Sequence, residues 1–222
     1  MHVPRAQDVA DNFFMMITSI EQVCQQLTSR LNELPENRQR MLLPLAEYIQ
    51  TKLNQKEPIR LVYICTHNSR RSHLGQIWSA VAADYFGIDN VQTYSGGTEA
   101  TAFHPNAIRA LQSDGFVVEK VLEGMNPIYR VEYAVGKEVE CFSKVYHHPA
   151  NPQRQFAAIM TCSDAEENCP FIPGVEFRIG TTYDDPKAAD GTPHEAAVYK
   201  ERSHQIALEC LYVFSKVKSS LK

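Results

Sequence analysis

Cys65-Thr66-His67-Asn68-Ser69-Arg70-Arg71-Ser72 is the stretch of this sequence best equipped for chemistry. Five residues separate Cys65 from Arg71, enough backbone to wrap one tetrahedral oxyanion with N–H groups turned inward. The planar Arg71 guanidinium can hold two oxygens of such an ion at once. The same positive surroundings favour thiolate over thiol at Cys65, and the thiolate is the nucleophilic form. Ser72 can donate to the sulfur and Asn68 can pin the loop. Thr66, His67, Ser69 and Arg70 complete the expected oxyanion-binding set, His67 adding bulk near Cys65 and Arg70 a second cation. A Cys–Arg spacing alone is weak evidence. The intervening Asn and Ser, the trailing Ser, and the place between an apolar strand and a helix make it specific.

Such a loop needs a rigid frame. Ile59–Ile64 is an apolar run interrupted only by Arg60, which suits a buried parallel strand. Ser72–Phe86 carries helical spacing and Val91–Ser95 reads as a strand ending at Gly96-Gly97. Pro105–Ser113 is a helix stopped near Gly115, Phe156–Thr161 a second buried strand, and His194–Val217 a long amphipathic helix. Alternation of this kind predicts a three-layer α/β domain with a central parallel sheet, and it puts the loop at the carboxyl edge of that sheet and at a helix N-terminus. Between residues 127 and 147, Tyr129, Val131, Tyr133 and Val135 alternate, Gly136-Lys137 turns, and alternation resumes at Val139 and Cys141. That predicts an inserted β-hairpin.

The first 56 residues read differently. Phe13, Ile17, Ile20, Cys24, Leu27, Leu31 and Leu34 form one helical seam ended by Pro35. Met41, Leu42, Leu45, Tyr48, Ile49 and Leu53 mark a second helix, with Pro44 weakening its first part. Residues 8–54 are therefore expected to be a helical hairpin. Its seam either packs on the main domain or serves a homodimer or other partner. The polar stretch from Asn54 to Glu57 is the expected boundary between residues 1–56 and a catalytic unit at 57–222.

Bulk properties exclude several classes. With 222 residues, 44% of them hydrophobic, the chain can bury a core and is not disordered overall. No apolar run approaches the roughly 18 residues of a membrane span, and the N-terminus lacks a secretory layout, so a cytoplasmic location is expected. A net charge of −4 suits nucleic-acid binding poorly. In a reducing compartment the six cysteines are catalytic or buried thiols rather than a disulfide framework. No C-x2-C pair occurs, so no structural zinc is expected, and His147, His148 and His194 lack partners at ligand spacing. Cys24 and Cys210 lie on helical seams as packing residues, and Cys141 could be either.

The chain resembles the low-molecular-weight tyrosine phosphatase superfamily, more closely its thioredoxin-coupled arsenate reductase branch. The resemblance rests on residues 65–72, on Cys162-Ser163-Asp164-Ala165-Glu166-Glu167-Asn168-Cys169-Pro170, and on Asp184-Asp185-Pro186. It covers about residues 58–218, leaving the N-terminal hairpin and an insertion at 119–153 outside. It implies Cys65 as nucleophile, Arg71 as oxyanion clamp, Asp185 as general acid, Cys162 and Cys169 as a redox relay, thioredoxin as reductant, and no cofactor. Asp185 also makes chemical sense unaided, because displacement at phosphorus or arsenic needs a proton delivered opposite the attacking sulfur. Asp184 reads as a turn residue.

The cysteine pair separates two activities. A phosphatase needs one cysteine, whereas a reductase must supply two electrons, so Cys162 would attack Cys65 and Cys169 would take over the bond. Seven helical residues rise about 10 Å, against about 5.5 Å between the Cα atoms of a disulfide. A helix between the two cysteines would have to open on oxidation. Lys187 stands where phosphatases of this type usually carry tyrosine, and Gln76 where potassium-binding reductases often carry glutamate, so the resemblance does not extend to a potassium ion. The alternatives to an arsenate reductase are a tyrosine phosphatase using Cys65, Arg71 and Asp185, in which Cys162 and Cys169 serve only redox protection, and a non-catalytic oxyanion-binding or interaction protein.

Overall fold

In the computed structural model, residues 15–168 and 171–220 are described, with only the backbone given at 168 and 218–220. Two parallel strand pairs frame the loop. β1 (Ile59–Cys65) lies between β2 (Val91–Gly97) and β6 (Phe156–Met160), and β7 (Val175–Gly180) extends the sheet beyond β6 to give the order β2-β1-β6-β7. Side chains of β1 alternate between two apolar clusters, as a pleated strand requires. Ile59, Leu61 and Tyr63 enter the larger cluster, whereas Val62 and Ile64 enter a smaller one with Phe156, Ala158 and Met160.

The larger cluster is built against α3 (Arg71–Tyr85), α4 (Pro105–Ser113) and α6 (Glu195–Ser220). Trp78 of α3 is fully buried at its centre, donating its indole N–H to Ser203 Oγ at 2.8 Å. The opposite face carries α5 (Ser163–Asn168) and the apolar side chains Ala165 and Ile172. Helices thus cover the parallel sheet on both faces, very unequally.

α1 (Thr18–Thr28) and α2 (Glu36–Asn54) pack against α6 in the same large cluster, with Ile20, Cys24, Leu42 and Ile49 essentially inaccessible. Of the two uses expected for the seam, the intramolecular one is seen. The single helix expected across residues 13–34 is broken. α1 stops at Thr28, a 3-10 turn follows at Leu31–Glu33, and Phe13 lies outside the described residues. Pro35 opens the next helix as well as closing the preceding turn, its carbonyl accepting from Gln39 N at 2.9 Å.

The expected hairpin is present as β4 (Ile128–Ala134) and β5 (Lys137–Cys141), turning at Gly136 with φ +69°. It belongs to a three-stranded antiparallel sheet with β3 (Val117–Leu122), a strand the sequence pattern does not reveal because its side chains do not alternate in burial. Among the described residues no helix is long and apolar enough to cross a membrane.

Candidate active site

Cys65 ends β1 and Arg71 begins α3, so residues 66–70 cross the carboxyl edge of the sheet. β1 connects onward to β2 on one side, and the chain then returns to β6 on the other. Such reversals of strand order open a crevice at the strand ends. Four carbonyls along the loop are occupied by neighbouring segments. Cys65 and Thr66 carbonyls accept from Thr98 N and Glu99 N, that of His67 from Ser143 Oγ and Thr101 Oγ1, and that of Ser69 from His104 N. The N–H groups of Thr66–Arg70 have no acceptor among the described residues. A ring of unpaired donors at a helix start is an anion cradle.

Asn68 locks the cradle. Its backbone takes φ +45°, its Oδ1 accepts from Lys144 N at 2.8 Å, and its Nδ2 donates to Ser72 Oγ at 2.8 Å. That last bond occupies a lone pair of Ser72, leaving the hydroxyl proton to point at Cys65 Sγ, 3.1 Å away. Gly97 is needed where β2 meets the loop, since a Cβ there would lie 2.5 Å from Thr66 O and 2.8 Å from Asn68 N.

Arg71 is buried and anchored to a second loop. Nη1 donates to Tyr183 O and Nη2 to Asp185 Oδ2, each at 2.7 Å. Asp185 Oδ1 accepts from Lys187 N at 3.0 Å and so caps the short turn Pro186–Ala189. Asp184 faces solvent instead, beside Arg202. A small cavity is lined by Cys65, His67, Ser69, Arg70, Arg71 and Asp185. Cys65 and Arg71, at the two ends of one loop, therefore meet Asp185 from a second, distant stretch of chain.

Two loop residues have partners the sequence does not reveal. Arg70 donates Nε to Tyr199 OH at 2.6 Å and pairs with Asp190 at 3.1 Å, so its charge is shared with the start of α6. Burial opposes charge on Asp190, but bonds from Tyr199 and the nearby Arg70 outweigh it and keep the carboxyl below its usual range. Burial and then Asp190 push the Tyr199 phenol up to about 12. His67, exposed at the mouth, pairs with Glu99 at 2.9 Å. Gln76 spends its amide nitrogen on Thr93 O and Glu140 O, bridging two strands beside a separate cavity that contains none of the loop residues.

Cys162 follows β6, is 1% exposed, and packs in the same small apolar cluster as Cys65. Its Sγ lies 3.4 Å from Thr66 Oγ1. Cys169 lies outside the described residues. Cys24, Cys141 and Cys210 are buried, and burial pushes each thiol up to about 12, which leaves them unreactive packing groups. Among the described residues no three His, Cys, Asp or Glu side chains are placed to hold a metal ion.

His73, directly after the loop, gives the site a pH dependence. It is fully buried against Phe103, with Nδ1 3.2 Å from Ser95 Oγ and Nε2 unpartnered among the described residues. Burial first, then the Lys144 charge, hold its pKa well below the usual value. The ring is neutral when folded, whereas the unfolded chain binds a proton below about pH 6.5. Its contribution is present above that pH and lost as pH falls, with a limiting slope of about 1.4 kcal/mol per pH unit. Denaturant titrations between pH 5 and 7 should show this slope in wild type and a shallower one in His73→Gln. Equal slopes would remove His73 as the cause.

No protein-family model matches the sequence. Three curated proteins named arsenate reductase are similar to it. That of Bacillus licheniformis is 27% identical over 143 residues, 64% of this chain and 84% of that protein. That of Halalkalibacterium halodurans is 26% identical over 147 residues, 66% and 88%. That of Bacillus subtilis is 25% identical over 142 residues, 64% and 84%. Among solved structures, an arsenate reductase in its phosphate-binding state aligns with a TM-score of 0.49 at 15% identity, over 72% of this chain and 98% of that one. A low-molecular-weight protein tyrosine phosphatase from T. tengcongensis aligns with a TM-score of 0.46 at 13% identity, over 73% and 99%.

Proposed function

We propose that this chain, which belongs to the low-molecular-weight tyrosine phosphatase superfamily, is a thiol-dependent arsenate reductase. The observation that carries the reading is a second buried thiol, Cys162, packed with Cys65 and touching the residue next to it. A phosphatase needs only Cys65 for its chemistry, and Cys162 would serve it for redox protection alone.

In this reading arsenate seats on the N–H groups of residues 66–70 and competes with Asp185 for Arg71. Once Arg71 turns to the oxyanion, the Asp185 carboxyl is free to face the leaving oxygen. The Cys65 thiolate bonds to arsenic as one oxygen leaves as water with the proton from Asp185. The Cys162 thiolate then attacks Cys65 sulfur, and the sulfur–arsenic electron pair departs with arsenic. Arsenic is thereby reduced from the +5 to the +3 state and two thiols become a disulfide, so the electrons balance. Attack by Cys169 on Cys162 would regenerate Cys65, and a dithiol protein of the thioredoxin kind would reduce the resulting disulfide in the cytoplasm.

α5 fills the stretch between the two relay cysteines. Its rise of about 1.5 Å per residue is incompatible with the ~5.5 Å Cα separation of a disulfide. Oxidation should therefore unwind it. Amide exchange across residues 163–168 is expected to accelerate in the oxidised protein, and unchanged protection would count against the relay.

The reading is tested by arsenate-dependent NADPH oxidation with thioredoxin and its reductase, run beside p-nitrophenyl phosphate hydrolysis. Arsenate turnover supports the reductase. Vigorous ester hydrolysis with no arsenate turnover would favour the phosphatase, and oxyanion binding with neither activity would favour a sensor.

A further inference from the structure

The first 56 residues lie outside the superfamily resemblance, yet α2 sends one charged side chain to the loop that carries Asp185. Arg38 holds Glu209 of α6 with two bonds, Nε to Oε1 at 2.8 Å and Nη2 to Oε2 at 2.7 Å. Nη2 also donates to Thr181 O at 2.8 Å. Glu209 is 2% exposed and accepts a third bond, from Tyr183 OH at 2.8 Å. The Arg38 guanidinium lies over the Tyr183 ring, 5.2 Å from its centroid.

Tyr183 is thus gripped at its ring and hydroxyl, and its carbonyl is the group that holds Arg71 Nη1. Asp185, two residues on, holds Nη2 of the same guanidinium. Apart from these contacts, residues 181–184 have neither helix nor strand to hold them. Among the described residues the further links are Thr181 N and Oγ1 on Met160 O, Tyr183 N on Thr161 O, a long bond from Arg38 Nη1 to Thr182 O at 3.5 Å, and the pairing of exposed Asp184 with Arg202. A bidentate arginine–carboxylate pair is the stiffest polar link available for such a segment.

We infer that Arg38 is a positioning residue, through which the N-terminal helices set the Thr181–Asp185 loop and with it the acid Asp185. This rests on the reading of Cys65, Arg71 and Asp185 as the reacting centre. It gives the N-terminal appendage a task in the reaction beyond covering apolar surface.

Removing Arg38 alone would strand a buried carboxylate and could unfold the chain. The informative variants are Arg38→Lys, which keeps the charge but cannot span both partners, and the double Arg38→Met with Glu209→Gln, which removes both charges and keeps an acceptor for Tyr183. Turnover of phenyl phosphate, whose poor leaving group needs the acid, is compared with that of p-nitrophenyl phosphate, whose leaving group needs it little. In the double variant kcat for phenyl phosphate should fall about ten- to hundredfold, with KM changed by no more than about twofold and a much smaller loss on p-nitrophenyl phosphate. Arg38→Lys should fall between wild type and the double variant. Added to Asp185→Asn, the double variant should cost nothing further. Equal losses on both esters, or losses that multiply with Asp185→Asn, would overturn the inference. Arsenate turnover is scored by the same comparison with Asp185→Asn if neither ester reacts. If wild type turns over nothing, the reading of the centre fails by itself, and amide exchange at 181–185 still decides the role of Arg38. Faster exchange in the double variant supports it, and unchanged exchange overturns it.

Discussion

Cys65→Ser is expected to lose at least about 10⁴-fold in both arsenate and phosphate-ester turnover. A serine hydroxyl in the same place is not ionised at neutral pH, so the nucleophile disappears while the cradle remains. The substitution is nearly isosteric, and the Ser72 Oγ that faces the sulfur at 3.1 Å can bond a hydroxyl equally well. Oxyanion binding should therefore survive. Isothermal titration with phosphate, together with an unchanged thermal midpoint, would show that only the chemistry is gone. Residual turnover within about tenfold of wild type would mean that another group is the nucleophile.

Cys162→Ser is expected to divide the two activities. Arsenate turnover should fall by more than about 10³-fold, because the thiol packed beside Cys65 that expels arsenite from its adduct is gone. Ester hydrolysis uses water in that step and should stay within about threefold of wild type. Cys162 packs among Ile64, Cys65 and Met160 and touches Thr66, so a small loss on both substrates from loosened packing is allowed for. Parallel losses of equal size on both substrates would assign Cys162 a packing role only.

How much of this was legible in the sequence follows the range of the forces involved. β1, α3, α4 and β6 were recognisable because buried apolar runs and an N-terminal proline act over a few residues. The loop's inner bonds, Asn68 to Ser72 and Ser72 to Cys65, were legible for the same reason, since all three residues lie within eight positions. β3 and β7 were missed. β3 is an edge strand with little side-chain burial, and β7 alternates but follows the Pro173-Gly174 turn at the opposite edge of its sheet. Leu31 and Leu34 continue the helical spacing beyond the end of α1, although the backbone there tightens into a 3-10 turn.

Long-range partners were invisible. Nothing local to Arg70 announces Asp190 or Tyr199, and nothing local to Arg38 announces Glu209, 171 residues away. The resemblance could not help with Arg38 either, since α2 falls outside it. Contacts of this kind arise only when separate elements are folded together, and here they decide how Arg71 and Asp185 are held.

The central claim is that this chain passes two electrons from its own thiols to arsenate. It is tested most directly in a single turnover, with reduced protein mixed with one equivalent of arsenate in the absence of thioredoxin. The account predicts one arsenite released per chain, two thiols lost, and a disulfide joining Cys162 to Cys169 in the peptide mass map, with Cys65 recovered free. Arsenate recovered unreduced, with all thiols still titratable, would contradict it.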